Sequence, residues 1–168
     1  MPIRRHRADQ PWAGAEANDE ARRRAGYPRY GAEVLDDSMR FRRETVRALR
    51  RFARRRPWRG TTAEQRIKLA ELHGDLCRIY GKRTRLRMRV WRLINWECYL
   101  PAEDVIVLPR LSVVSYLHEF AHALGRNERG ACRWSLNLFR KAFPRSFARC
   151  HFEGHLLVAD HGRRGQQQ

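Results

Sequence analysis

Long apolar runs are absent from this chain of 168 residues. No segment approaches the ~18 consecutive apolar residues that a membrane-spanning helix requires. The N-terminal stretch MPIRRHRADQPWAGAEANDE has no hydrophobic core of the signal-peptide kind. The expectation is a soluble, cytoplasmic protein with no membrane association. Closely spaced cysteine pairs are also missing. Cys77, Cys98, Cys132 and Cys150 are scattered with no CxxC among them, which argues against a disulfide framework or a zinc knuckle and leaves buried thiols in a reducing compartment. Lysine is nearly absent, with three residues (Lys68, Lys82, Lys141) among 36 basic ones, and no internal repeat is visible.

What the chain does have is arginine. Against 18 acidic residues the basic ones leave a formal net charge of +18. Arginine over lysine is by itself weak evidence of function, because coding bias contributes to such a skew. The excess of bases over acids says more, since a field of that sign draws phosphate-rich or acidic partners and points to nucleic acid. The length suits one domain with a single core and short tails.

Residues 1–35 mix Arg, Gly, Ala and Pro without periodicity and are expected to be a mobile basic segment. In 36–60, Met39, Val46, Leu49 and Phe52 or Ala53 recur at helical spacing, with Asp37 or Ser38 as N-cap. The opposite face of this helix is nearly all arginine. Arg50, Arg51, Arg54, Arg55 and Arg56 are candidate nucleic-acid contacts there, although a plain solvated face has the same composition. Pro57 and Gly60 break the pattern.

A domain over 61–160 follows, with 161–168 as tail. Thr61 and Glu64 form a capping box ahead of a helix whose buried stripe is Leu69, Leu72, Leu76 and Ile79, closed by Gly81. In TRLRMRVW, Leu86, Met88 and Val90 alternate with Arg85, Arg87 and Arg89, the period of a strand. Those arginines are further candidate nucleic-acid contacts, or charges that protect an edge strand. Residues 94–100 and 104–108 make two more strands around Pro101-Ala102-Glu103. A helix over 111–125 buries Val114, Leu117, Ala121 and Leu124. Another, from about 129 to 143, buries Trp134, Leu138 and Ala142 and stops at Pro144. The remaining apolar segment up to Asp160 is expected to pack back on the domain. The fold class is α+β: an N-terminal helix, a small three-stranded sheet, then two helices.

The helix over 111–125 contains HEFAH. His118 and His122 are four residues apart, so both imidazoles project from one face, a spacing suited to one zinc ion. Glu119 stands beside them as general base for an attacking water. With 7 His and 11 Glu in the chain, roughly 0.02 chance occurrences of HExxH are expected. An open catalytic site needs a third protein ligand. On a continuing helix Glu128 would lie about 9 Å further along the axis than His122, too far to share an ion. Gly125 allows a left-handed turn at Gly125-Arg126-Asn127, after which Glu128 can swing back. His151 and His155 are rivals for the third place, with Cys132 a weaker one.

With HEFAHALG and ERGACRWS in view, residues 62–143 resemble the zincin metallopeptidases. The order of helix, small sheet, HExxH helix and further helix is similar to the compact SprT-like and ImmA/IrrE-like groups. The resemblance implies a zincin-like domain, zinc on His118 and His122, and Glu119 as catalytic carboxylate. The pattern E-x-x-A-x-x-aromatic of glutamate zincins is matched by Glu128, Ala131 and Trp134. The interval from His122 to Glu128 is shorter than in ImmA/IrrE-like proteins and equals that of metzincins. Yet no methionine follows Met88, so their Met-turn is missing. The function implied is zinc-dependent hydrolysis of a protein or peptide substrate near nucleic acid. The alternatives are a regulatory protease that cuts one specific partner, and a non-catalytic nucleic-acid-binding protein with a structural metal.

Overall fold

The structure is a computed structural model that describes residues 30–88 and 97–160. It is α+β. Five α-helices are present among the described residues, α1 (Arg43–Arg54), α2 (Thr62–Tyr80), α3 (Val113–Ala123), α4 (Glu128–Ala142) and the short α5 (Pro144–Phe147). A mixed sheet is built from β1 (Arg85–Arg87), β2 (Cys98–Leu100) and β3 (Val105–Val107), in the order β1-β3-β2. A separate antiparallel hairpin joins β4 (Cys150–Glu153) to β5 (Leu156–Ala159).

Each element follows from local chemistry. Thr61 accepts a hydrogen bond from the Glu64 amide, and the Glu64 carboxylate accepts one from the Thr61 amide at 2.7 Å. Two of the orphan donors at the start of α2 are thereby satisfied. Gly81 ends the helix in the left-handed conformation at φ 63°. β3 runs parallel to β1 and antiparallel to β2, with Ile106 opposite both Leu86 and Tyr99. All three β3 residues are buried, as expected of a central strand covered on both faces.

One core serves the whole domain. Leu49 and Phe52 of α1, Leu69, Leu72 and Leu76 of α2, Ile106 of β3, Leu117 and Phe120 of α3, and Trp134 and Leu138 of α4 pack together. Residues 31–36 are fastened to α4. Asn137 donates to the Val34 carbonyl at 2.8 Å and accepts from the Asp36 amide at 2.8 Å, while Arg133 pairs with Asp36.

Several expectations need correction. α1 begins at Arg43 and has no side-chain cap, rather than starting at Asp37 or Ser38. The Asp36 carboxylate binds the Ser38 amide and hydroxyl, which closes a local turn instead of a helix start. Met39 still packs against the core from outside the helix. On α3 the fully buried side chains are Tyr116, Leu117, Phe120 and Ala121, whereas Val114 and Leu124 are half-buried. This helix packs on both α4 and the sheet, so its apolar face is wider than one stripe. Among the described residues the four cysteines form no disulfide, and they are half-buried rather than buried. The C-terminal segment forms a hairpin of its own around Gly154, at φ 61°. Arg89 and Val90 and residues 94–96 lie outside the described residues.

Candidate metal centre

The site is built where α3 ends and α4 begins. Ser112 caps α3, accepting from the Ser115 amide. The helix closes in a Schellman turn: the Gly125 amide donates to the His122 carbonyl at 2.8 Å and the Arg126 amide to the Ala121 carbonyl at 3.1 Å. Gly125 sits at φ 83°, a conformation that glycine adopts without steric cost. Two residues later Asn127 caps α4, its side-chain oxygen accepting from the Gly130 amide at 2.8 Å. Glu128 is therefore the first residue of α4, where the positive end of the helix dipole favours a carboxylate.

This path folds Glu128 back over the histidines. His118 Nε2 and His122 Nε2 are 3.1 Å apart, Glu128 Oε2 is 3.1 Å from His122 Nε2, and Glu128 Oε1 is 3.3 Å from His118 Nε2. Ligands bound tetrahedrally to zinc at ordinary bond lengths lie roughly 3.3 Å from one another. The three contacts are of that size, the two from Glu128 being made by different carboxylate oxygens, and one ligand atom taken from each residue lies within 4.8 Å of the others. Among the described residues, this is the group of His, Cys, Asp and Glu side chains close enough together to hold a metal ion.

The surrounding groups orient the imidazoles. His122 Nδ1 is 2.9 Å from the Arg126 carbonyl. A carbonyl only accepts, so Nδ1 carries a proton, which leaves Nε2 as the nitrogen that would ligate a metal. Cys132 Sγ lies 3.7 Å from His118 Nδ1 and 3.7 Å from Glu128 Oε1, behind the ligand atoms rather than among them. The hydrogen bond that His122 donates to the Glu128 carboxylate raises the pKa of His122; burial opposes it, and the Arg126 carbonyl and the charges of Glu119 and Glu128 add to the rise. Burial pushes the Glu128 carboxyl up, but His118 and His122 together hold it well below the usual carboxylate range. Glu119 follows His118 directly and is 4% exposed, near enough for its charge to act on His122.

Other expected site residues lie elsewhere. His151 belongs to the β4–β5 hairpin, is exposed, and is bound by Asp160 and by Glu153 at 2.9 Å. His155 is in the turn of the same hairpin and acts electrostatically on Glu33. Tyr116, on the same helix as the two histidines, is wholly buried and its hydroxyl faces His73 at 3.0 Å. Arg51 pairs with Asp75 at 3.1 Å and Arg55 with Glu71. Arg85 donates to the Glu103 carbonyl at 2.9 Å, and Arg87 pairs with the Glu103 carboxylate at 3.5 Å. Arg50, Arg54 and Arg56 are exposed. Sequence reasoning missed the Asn127 cap and the Arg126 carbonyl. An Asn-Glu step opening a helical pattern was the available signal for the first; nothing local announces the second.

Fold and site together define an α+β protein with a two-histidine, one-carboxylate group able to hold a metal, beside a buried glutamate. No family model matches the chain, and no curated protein sequence or solved structure does either.

Proposed function

We propose that the chain is a zinc-dependent peptidase with a zincin-like architecture. The observation that carries this reading is the convergence of His118, His122 and Glu128 into a group whose ligand atoms, one from each residue, lie within 4.8 Å of one another, with Glu119 buried beside it. Three protein ligands leave one coordination position open, the arrangement of catalytic rather than structural zinc. Zinc held there supplies Lewis-acid polarisation of a carbonyl and a nucleophilic water at neutral pH.

The chain's own groups do the rest. Glu119 accepts the proton of the attacking water on its carboxylate and returns it to the departing amine. The Arg126 carbonyl holds the His122 ring at its working angle, and Gly125 and Asn127 bring Glu128 into reach. The net charge of +18 supports a substrate protein encountered near nucleic acid. Four cysteines in no disulfide support a cytoplasmic setting, and among the described residues no helix is long and apolar enough to cross a membrane.

The test compares the zinc-loaded wild type with Glu119→Gln on an unfolded protein substrate. We expect cleavage by the wild type and a loss of at least about 100-fold in the variant, since general-base catalysis is worth that much, with bound zinc unchanged. Equal cleavage by the two proteins would sink this mechanism.

A further inference from the structure

Helix α1 has three faces, and two of them have partners. Val46, Leu49 and Phe52 enter the core, while Arg51 reaches Asp75 of α2 and Arg55, just beyond the helix, reaches Glu71. The third face carries Arg43, Arg47, Arg50 and Arg54, all exposed. Their spacings of four, three and four place them in one row, about 16 Å long. Among the described residues none of the four has an acidic partner, and Glu44 is the sole acidic residue of the helix.

Among the described residues nothing rewards this row. Like charges three and four residues apart repel along a helix. Arg43 also stands in the first turn, where the helix dipole disfavours a cation. A strand of phosphates would reverse both penalties.

A second feature lies just past the end of the helix. Trp58 is 52% exposed, and its ring leans on Phe143 with centroids 5.9 Å apart. Its turn is clamped from α2: Lys68 donates to the Arg59 carbonyl at 2.9 Å and Gln65 to the Gly60 carbonyl at 3.0 Å. Arg56 and Arg59 flank the indole in sequence, both exposed. An aromatic ring held open among arginines is what stacks on an unpaired base.

We infer that the outer face of α1 and Trp58 form a binding surface for single-stranded nucleic acid. The arginine row takes the phosphates and the indole takes a base. This surface does not depend on the metal centre.

The test is fluorescence anisotropy of the full chain with a labelled single-stranded oligonucleotide of about 20 nucleotides, titrated at several salt concentrations. Replacing Arg43, Arg47, Arg50 and Arg54 together by Gln should reduce the salt slope by about 3 and weaken binding at least about tenfold. The Arg51→Gln, Arg55→Gln double variant removes paired arginines and should shift the slope by less than about 1. Trp58→Leu should weaken binding about tenfold with the slope kept, and wild type should bind the single strand more tightly than the matching duplex. Circular dichroism and melting temperature show whether each variant is folded. Glu119→Gln should bind as wild type, so a failed cleavage assay and a failed binding assay remain separate results. The proposal is overturned if the quadruple variant binds as wild type, or if the double variant loses as much as the quadruple. It is also overturned if duplex is preferred and Trp58→Leu has no effect.

Discussion

Arg126 contributes to the centre through its backbone alone. Its amide closes α3 on the Ala121 carbonyl and its own carbonyl orients His122, so the end of the helix and the angle of the ligand are one event. Gly125 makes that geometry possible at φ 83°. A Cβ there would meet nothing within 4 Å, so the effect of a side chain is backbone strain without a clash. Gly125→Ala should therefore destabilise the protein by about 1–2 kcal/mol in urea unfolding, the left-handed penalty of an L-residue. Gly125→Asn should lose less, because asparagine tolerates that conformation. An alanine variant as stable as wild type would show that the turn is not built this way.

Between elements, the HExxH helix is held from behind by a buried polar relay. His73 of α2 donates from Nε2 to the Thr84 carbonyl at 2.7 Å and accepts at Nδ1 from the Tyr116 hydroxyl of α3 at 3.0 Å. Thr84 in turn donates to Asp104 at 2.8 Å, as does Tyr99 of β2 at 3.0 Å. The relay ties α2, α3 and the sheet together. Burial pushes the His73 pKa below its ordinary 6.5, with the Thr84 carbonyl and Asp104 only partly opposing. The folded state thus favours the neutral ring, and the unfolded chain takes up a proton more readily. This contribution is complete above about pH 6.5 and is lost as pH falls through the lowered folded value. Melting temperatures between about pH 7.5 and about pH 5 should therefore fall more steeply for wild type than for His73→Gln. Parallel curves would mean that the imidazole does not titrate against the fold. The contrast with α2 itself marks what was legible in the sequence. The Thr61 capping box, the Gly81 cap and the stripe from Leu69 to Leu76 depend on residues a few positions apart. Tyr116 and His73 are 43 residues apart, and no periodicity announces that a tyrosine beside a metal motif will turn inward.

For the whole molecule, a single core reaches from α1 to α4, and the metal group lies at the α3–α4 junction. The same division between local and distant determines what could be foreseen. His118 and His122 are joined by helix periodicity, and Gly125 signals a turn, so the ligand helix and its end are visible in the residues themselves. The choice between Glu128 and the C-terminal histidines depends on where the β4–β5 hairpin goes, and its strands are too short to show that. Likewise the arginine row on α1 separates from Arg51 and Arg55 only once α2 lies alongside. The proposed function stands on local closure of the centre through Glu128 on one zinc ion. Metal analysis of this purified chain, equilibrated with zinc and desalted, tests that closure. Wild type, His151→Ala and His155→Ala should each retain close to one zinc per chain, with iron and manganese at background, and Glu128→Ala should retain almost none. Undiminished zinc in Glu128→Ala, or none in the wild type, would contradict the account.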